Sequence, residues 1–356
     1  MSDGQDAAVV SELLKPLSTY LQDPSLYEVI VNRPGQVLTE GPSGWRTHDR
    51  PELTFEKLMR LARAIASFSH QSIDETRPIL SATLPGDERI QIVIPPATMK
   101  DTVSITIRKP SSVDFSLDDL EENGFFEKTR AANSASSPLD TELGEIYRAG
   151  RFKDFLRHAV IARKNIIISG ATGSAKTTLS KALIKHIPET ERVISIEDTP
   201  ELVISQPNHV RLFYSKGGQG LSRAGPRELL ESCLRMRPDR ILLQELRDGT
   251  AFYYIRNVNS GHPGSITTVH ANSATLAFEQ LALLVKESEG GMGLEREDIL
   301  ALLKSGIDII AHCKRENGTF GLSEVYFKLD SGACNSSHAF GQDIGSYAYQ
   351  ETPSGT

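Results

Sequence analysis

The sequence has few of the features that mark secreted or membrane-spanning proteins. Its three cysteines, Cys233, Cys313 and Cys334, lie far apart and lack the spacing of metal ligands. We therefore expect free thiols in a reducing compartment. There is no apolar run of the ~18 residues that a membrane helix needs. The first six residues are polar and acidic, unlike a secretory signal. These absences predict a cytoplasmic protein.

The chain also lacks an excess of positive charge. Its formal net charge is −7 at pH 7, so there is no overall basic field to hold nucleic acid or an anionic membrane. The share of hydrophobic residues, 39%, is that of a soluble globular protein. A chain of 356 residues is long for a single core, and two domains are therefore expected.

The stretch that organises the sequence is a Gly/Ser/Thr-rich loop between a predicted strand, Ile166–Ser169, and a predicted helix that begins at Lys176. This order of elements is typical of a phosphate-binding loop, whose backbone N–H groups surround the β- and γ-phosphates at the positive end of a helix. Lys176 would neutralise phosphate charge, and the hydroxyl of Thr177 would bind Mg²⁺. The predicted nucleotide-binding residues of the loop are Gly170, Thr172, Gly173, Ser174, Ala175, Lys176, Thr177 and Thr178.

Ala175 departs from the motif Gly-x-x-x-x-Gly-Lys-Ser/Thr, which has its second glycine at this position. If the backbone here is left-handed, a Cβ atom costs about 1 to 2 kcal/mol. We expect this to weaken nucleotide binding or folding without abolishing the site. An ordinary glycine-rich loop before a helix is the alternative interpretation of the stretch.

Patterning divides the chain into four parts. Residues 1–110 form an α+β domain with a helix over 8–22 broken near Pro16, and a second helix over 55–69 capped by Thr54. Residues 111–150 are a linker with short helices, long enough to let one domain pack on a neighbouring subunit. Residues 151–330 alternate strand and helix, as in a parallel α/β sheet, and residues 331–356 are predicted to be disordered.

Ionisable residues follow several of the predicted parallel strands. Because ligands of open α/β sheets lie beyond the strand ends, Asp198, Glu245 and His270 are expected to converge on Lys176. Glu245 ends an apolar strand, where a carboxylate can hold Mg²⁺ or orient the attacking water. Glu197 belongs to a second acidic cluster, and two acidic sites beside a triphosphate imply a divalent metal between them. Taken alone, Glu245 is better explained as a solvated strand end, and the Glu197 cluster is explained equally well as a helix cap and turn.

Two histidines and two arginines complete the candidate set. His262 and His270 flank one strand, and a histidine near the γ-phosphate can donate a hydrogen bond that disappears on hydrolysis. Arg89 and Arg108 lie at the ends of two strands in the N-terminal domain. An arginine from another domain can neutralise transition-state charge, although plain surface positions are the alternative.

Together these motifs resemble the traffic ATPases of type IV secretion and conjugation systems, of the type II/IV secretion NTPase family. The resemblance covers residues 25–328. It rests on Ser104-Ile-Thr-Ile-Arg-Lys-Pro-Ser111, the phosphate loop, and the acidic box Ile196-Glu-Asp-Thr-Pro-Glu201. It also includes Leu234-Arg-Met-Arg-Pro-Asp-Arg-Ile-Leu-Leu-Gln-Glu-Leu-Arg247 and the histidine box Ser260-Gly-His-Pro-Gly-Ser-Ile-Thr-Thr-Val-His-Ala271.

The resemblance implies an ATP- and Mg²⁺-dependent homohexameric ring ATPase, with RecA-like C-terminal domains, smaller α+β N-terminal domains and nucleotide bound between them. It implies work at the cytoplasmic face of the inner membrane, with other secretion ATPases and channel components as partners. Carried over by position, the catalytic residues are Lys176, Glu197, Glu245, His262, His270 and Arg108. Thr177 and Glu245 would bind the metal, and Arg89 and Arg108 would approach the phosphates. Gln244 stands where many relatives have a small residue, a change we expect to be tolerated.

Two other functions are considered. One alternative is that Ala175 makes the chain a nucleotide-gated scaffold that binds ATP but hydrolyses little of it. A RecA-type helicase or translocase is disfavoured by the acidic balance and by the lack of an aromatic and basic platform. No sequence-specific nucleic-acid binding is expected.

Overall fold

A computed structural model of the chain describes residues 2–110, 115–129 and 137–328. The tail predicted for 331–356, with Cys334, lies outside these ranges. Cys233 and Cys313 are buried free thiols. Among the helices of the described ranges, none has the length and apolar character to cross a membrane.

The N-terminal domain is a six-stranded antiparallel sheet covered by helices. Its helices are α1 (Ser2–Leu13), a 3₁₀ turn (Lys15–Leu17), α2 (Ser18–Gln22) and α3 (Phe55–Phe68). Its strands are β1 (Glu28–Val31), β2 (Gly35–Gly41), β3 (Gly44–Arg50), β4 (Ile79–Thr83), β5 (Arg89–Val93) and β6 (Ser104–Arg108). In the sheet these strands lie in the order β3-β2-β1-β6-β5-β4.

Local sequence explains the helices of this domain. The 3₁₀ turn interrupts the first helical stretch at Pro16, as expected for a residue without a backbone N–H. The hydroxyl of Thr54 accepts a hydrogen bond from the N–H of Lys57 and so caps α3. The apolar residues of α3 recur at helical spacing and are buried against the sheet: Leu58, Leu61, Ala62, Ile65 and Ala66.

The C-terminal domain is an α/β fold whose strands are mostly parallel. One sheet contains β8 (Val193–Glu197), β9 (His209–Phe213) and β10 (Arg240–Leu243), in the order β10-β8-β9. A second contains β7 (Ile166–Ser169), β11 (Ile266–Val269), β12 (Ile309–Glu316) and β13 (Thr319–Phe327), in the order β11-β7-β12-β13, and only β13 in it is antiparallel to its neighbour. A parallel bridge between Leu246 and Val269 links β10 to β11 and joins the two sheets. The predicted class, a RecA-like α/β domain with a smaller α+β N-terminal domain, is confirmed.

The remaining helices have the following bounds. Helix α4 (Leu117–Glu122) lies between the two domains in the sequence and has no buried residue. The helices that follow are α5 (Pro138–Arg148), α6 (Phe152–Ile161), α7 (Lys176–Ile184), α8 (Pro226–Cys233), α9 (Thr250–Val258), α10 (Ala274–Lys286) and α11 (Arg296–Gly306).

One helix of the range assigned to the linker packs in the C-terminal domain. Leu143 and Ile146 of α5 are buried in the same cluster as Phe155 of α6 and Ile166 of β7. Helix α5 therefore belongs to the core of this domain, although residues 111–150 were expected to connect the domains.

The two domains pack through a buried polar contact and an apolar one. Arg192, fully buried just before β8, donates through Nη1 to Asn32 Oδ1 at 2.8 Å. Val93 and Ala97 of the N-terminal domain join the core of the C-terminal domain. The N-terminal domain thus lies against the start of β8 and the edge strand β9, where Phe213 donates its N–H to the Ala97 carbonyl at 2.9 Å.

Candidate active site

The phosphate loop connects β7 to α7 and has positive φ angles at three positions. Gly170 has φ 151°, and a Cβ atom there would collide with the carbonyl oxygen of Cys313 and the hydroxyl of Ser174. Gly173 has φ 71° and faces open space. Ala175 has φ 73° and ψ 21°, a left-handed conformation directly before the helix. The motif thus has alanine in place of glycine at a position whose left-handed backbone favours glycine. The Cβ atom of Ala175 costs about 1 to 2 kcal/mol there.

Lys176 points back over the loop from the first turn of α7. Its side chain is buried, and Nζ donates to the carbonyl oxygens of Gly170 at 2.8 Å and Ala171 at 2.9 Å. Burial lowers the pKa of the Lys176 ammonium group, and the carboxylate of Glu245 opposes that effect. The nearby hydroxyl of Ser174 is buried without a hydrogen-bond partner. An ammonium group and a free hydroxyl in a loop at a helix N-terminus fit an anionic ligand.

Glu245 and His270 reach the same edge of the sheet because β10, β11 and β7 lie side by side in that order. Nε2 of His270 lies 2.7 Å from Oε1 of Glu245, and its Nδ1 lies 3.4 Å from Nζ of Lys176. The Glu245–His270 contact has the distance of an ion pair but not the angle of a hydrogen bond, and Oε1 has no hydrogen-bond partner. The imidazole therefore lies between the ammonium group and the carboxylate.

Glu197 is placed differently from the other carboxylates. It is fully buried, and both its oxygens are occupied. Arg211 donates to Oε1 from Nε at 2.9 Å and to Oε2 from Nη2 at 2.8 Å, while the N–H groups of Glu201 and Leu202 also donate to Oε2. A further hydrogen bond to Oε1 comes from the Ser195 hydroxyl at 2.7 Å. In this chain Glu197 holds the loop that follows β8, and its carboxylate has no oxygen left for a ligand.

Asp198 and Arg247 extend the site away from the phosphate loop. Nη1 of Arg247 donates to Asp198 Oδ2 at 2.6 Å, and its Nε and Nη2 contact Oε2 of Glu245. The N–H of Asp198 donates to Oε1 of Gln244 at 3.0 Å. Asp198 was expected to converge here from its strand-end position. Arg247 has no predicted role of its own, although it ends the motif that runs from Leu234 to Arg247.

His262 lies at the other end of its strand from the phosphate loop. It precedes β11, whereas His270 follows it, and β11 runs parallel to β7. Nδ1 of His262 lies 3.0 Å from the carbonyl oxygen of Pro238, which precedes β10. Burial lowers the pKa of its imidazole. In a single chain, His262 is therefore not brought to Lys176.

Arg89 and Arg108 face one another but not the phosphate loop. The antiparallel register pairs Arg89 with Arg108 and Arg108 with Glu28. These three residues line a pocket of about 390 Å³ with Arg235 and Arg237, which follow α8. Four guanidinium groups line this pocket, although Arg237 is paired with Glu40 and Asp239. No residue of the loop at Lys176 lines it within one chain.

The residues at Lys176 fit a nucleotide with its magnesium ion. Thr177 is half-buried on the first turn of α7, while Thr172 and Thr178 are exposed. In the part of the chain that the structure describes, no group of three or more His, Cys, Asp or Glu residues is arranged to hold a metal ion. Mg²⁺ commonly binds through one or two protein ligands plus phosphate oxygens and water. Thr177 and Glu245 suit that mode, in which the metal depends on the nucleotide.

Comparison with known proteins identifies the family. Residues 12–338 match the family described as "Type II/IV secretion system protein". The chain belongs to this family. It is 59% identical over 334 residues to the type IV secretion system protein VirB11 of Bartonella henselae, covering 91% of this chain and 94% of that one. It is 46% identical over 327 residues to VirB11 of Brucella suis, covering 90% and 91% of the two chains.

A solved structure of the type II/IV secretion family agrees in fold. The crystal structure of the VirB11 ATPase from the Brucella suis type IV secretion system, in complex with sulphate, superposes with a TM-score of 0.89. The superposition covers 95% of this chain and 99% of the other at 43% identity. As a member of this family the chain is a secretion ATPase, which accounts for a phosphate loop beside a strand-end carboxylate.

Proposed function

We propose that this chain is a Mg²⁺-dependent ATPase that acts as a homohexameric ring in type IV secretion, in conjugative transfer of DNA or protein and in pilus biogenesis. The single observation that supports hydrolysis most strongly is the convergence of Lys176, His270 and Glu245 at one edge of the sheet. In this proposal the energy of hydrolysis moves the N-terminal domains as rigid bodies.

Each group of the site has a chemical role in the proposal. Lys176 and the loop N–H groups neutralise the phosphates, and Thr177 with Glu245 would hold Mg²⁺, which withdraws charge from the phosphate oxygens. Glu245 keeps one buried oxygen, Oε1, without a hydrogen bond, and that oxygen can orient a water or accept its proton. His270 stands beside both groups and can respond to a phosphate that leaves.

The direct test is Lys176→Gln, which keeps a polar side chain of similar length but removes the charge. We expect loss of ATP turnover while the particle mass stays that of the wild-type assembly, measured by light scattering. Lys181→Gln, one turn further along α7 and half-exposed, is the matched control and should leave turnover unchanged. Wild-type ATP turnover in Lys176→Gln would show that the ATPase site is wrongly assigned.

The positions of Arg89 and Arg108 support a ring in which they act between chains. Within one chain they line a pocket with Arg235 and Arg237, and the long connection between the domains can bring an N-terminal domain to a neighbour. We propose that they approach the phosphates of a nucleotide held by another subunit.

Mixing two inactive variants tests this arrangement. Lys176→Gln lacks the phosphate lysine and Arg108→Ala lacks the arginine. If the two residues serve one site from different chains, co-assembled rings contain some intact sites and recover part of the turnover. If both serve the site of their own chain, every site in the mixture is defective and turnover stays lost.

We further propose a peripheral location at the cytoplasmic face of the inner membrane, with other secretion ATPases and channel components as partners. The names of the relatives, which are type IV secretion system proteins, support this. The test is cell fractionation in the presence of the rest of the secretion system. The chain should sediment with membranes and leave them in alkaline carbonate, and a wholly soluble chain would contradict the proposal.

A second candidate function is a nucleotide-gated scaffold that hydrolyses little ATP. The left-handed backbone of Ala175 favours it, since strain in the loop can reduce turnover. Comparing the wild type with Ala175→Gly in steady-state assays separates the two candidates. A large increase in turnover would favour the scaffold for the natural chain, whereas equal and substantial rates would leave the ATPase.

A further inference from the structure

Arg247 joins the two acidic strand ends of the candidate site. Its Nη1 donates to Oδ2 of Asp198 at 2.6 Å, after β8, and its Nε and Nη2 both contact Oε2 of Glu245, after β10. The guanidinium group thus makes one hydrogen bond to each carboxylate, with a further ion-pair contact from Nη2 to Glu245. A planar fork of this kind fixes orientation as well as position, which a lysine ammonium group cannot do.

The contact decides which oxygen of Glu245 faces the phosphate loop. Because Arg247 occupies Oε2, Oε1 is turned toward His270, which in turn lies beside Lys176. Oε1 is buried and has no hydrogen-bond partner, so it is the oxygen with spare acceptor capacity for a ligand.

The backbone just before Arg247 is held by contacts with β11 and with the residue that follows β8. The N–H of Leu246 donates to the Thr268 carbonyl at 2.8 Å, and the Thr268 hydroxyl donates to the Gln244 carbonyl at 3.0 Å. Gln244 also accepts from the Asp198 N–H through its side chain. The side chain of Arg247 therefore extends from a fixed backbone toward a fixed partner.

We propose that Arg247 is a positioning residue for ATP hydrolysis: anchored on Asp198, it holds Oε2 of Glu245 so that Oε1 faces the phosphate loop, where it can contact the attacking water or the magnesium ion. The inference rests on the proposed ATPase function. It assigns Asp198 the role of anchor and leaves the contact with magnesium or water to Glu245.

The exposure of Arg247, Asp198 and Glu245 distinguishes their interaction from an ordinary surface ion pair. Arg247 is 37% exposed, but the carboxylates are only 12% and 10% exposed for Asp198 and Glu245. An exposed pair between mobile side chains contributes little. Here both acceptors are largely buried, so the exposed guanidinium group binds two carboxylates that are themselves held in the protein. A displacement of Glu245 on the scale of an ångström is enough to change a catalytic rate about 10²-fold.

The test compares ATP turnover and nucleotide affinity in Arg247→Gln, Arg247→Lys and Asp198→Asn. We expect Arg247→Gln to lower kcat roughly 10- to 100-fold, with the Kd for ATP measured by calorimetry within about 3-fold of wild type because Lys176 is untouched. Arg247→Lys should restore only a small part of kcat, since one ammonium group cannot serve both carboxylates. Asp198→Asn should lower kcat in the wild-type background but have little further effect in Arg247→Gln.

Arg296→Gln is the matched control, because Arg296 also contacts two carboxylates, Glu279 and Glu297, but on the surface of the C-terminal domain. It should leave kcat unchanged. An unchanged kcat in Arg247→Gln overturns the inference, and so does a parallel fall of kcat, ATP affinity and melting temperature, which would show a purely structural role. If the wild-type chain shows no ATP turnover, the proposed ATPase function is wrong, and so is this inference.

Discussion

Nε2 of His270 lies 2.7 Å from Oε1 of Glu245 at the carboxyl edge of the C-terminal sheet. The second ring nitrogen lies 3.4 Å from Nζ of Lys176. One imidazole therefore contacts both the group expected to bind phosphate and the group expected to direct water. Through His270, the residue at the end of the phosphate loop and the carboxylate that follows β10 are in contact within a single chain.

Replacing His270 by Asn should slow hydrolysis more than it weakens nucleotide binding. The amide is shorter and cannot reach both partners, so Glu245 and Lys176 lose their common neighbour. We expect kcat to fall about 10²-fold and the Kd for ATP to change little, as measured by steady-state assays and calorimetry. His186→Asn, at an exposed position after α7, is the control. A His270→Asn enzyme with wild-type kcat would show that the contact has no part in turnover.

Replacing Ala175 by Gly should stabilise the folded chain. The left-handed backbone at φ 73° disfavours a Cβ atom by about 1 to 2 kcal/mol, and part of the gain is offset by the greater freedom of glycine in the unfolded chain. A net increase of about 0.5 to 1 kcal/mol in the free energy of unfolding is expected from denaturant titration. Ala301→Gly, in the exposed face of α11, should instead destabilise by about 0.5 to 1 kcal/mol. The same sign for both variants would contradict the strain at Ala175.

Glu28 should make the stability of the protein depend on pH. Burial raises the pKa of its carboxyl group from 4.5 to about 7, although Arg108 opposes the shift. Between pH 4.5 and 7 the folded chain holds a proton that the unfolded chain has released, so stability falls as pH rises through this window. Above pH 7 the free energy of unfolding is lower by about 3 kcal/mol than it is below pH 4.5.

Denaturation of Glu28→Gln at pH 5 and pH 8 measures this effect. Glutamine stays neutral, so the variant should lose less stability between the two pH values than the wild type does. Glu189→Gln, at an exposed position, should keep the wild-type dependence. If Glu28→Gln keeps it too, the buried carboxyl group is not its source.

Much of the fold follows from local pattern. The apolar face of α3, its Thr54 cap and the interruption at Pro16 are set by neighbouring residues, and each is found as predicted. The other elements depend on contacts that the local pattern does not show. Strand β12 forms against β7, far earlier in the chain, while β4 and β13 lie at sheet edges and pair only with their hairpin neighbours β5 and β12. The sequence of α5 predicts part of a linker because it does not show that β7 and α6 cover Leu143 and Ile146.

The direction of the parallel strands predicts part of the candidate site. Residues that follow parallel strands meet at one edge, and Glu245, His270 and Asp198 do so. The same rule separates His262 from them, because it precedes its strand. The saturation of Glu197 by Arg211 could not be predicted, since the partner comes from the next strand.

The most direct test of the central claim is a single-turnover measurement on Glu245→Gln with ATP and Mg²⁺. Glutamine keeps the size of the side chain but cannot accept a proton from water or hold the metal as a carboxylate does. The account predicts that this variant binds ATP with near wild-type affinity and keeps it unhydrolysed over many wild-type turnover times. Hydrolysis of the bound ATP at the wild-type rate would contradict the account.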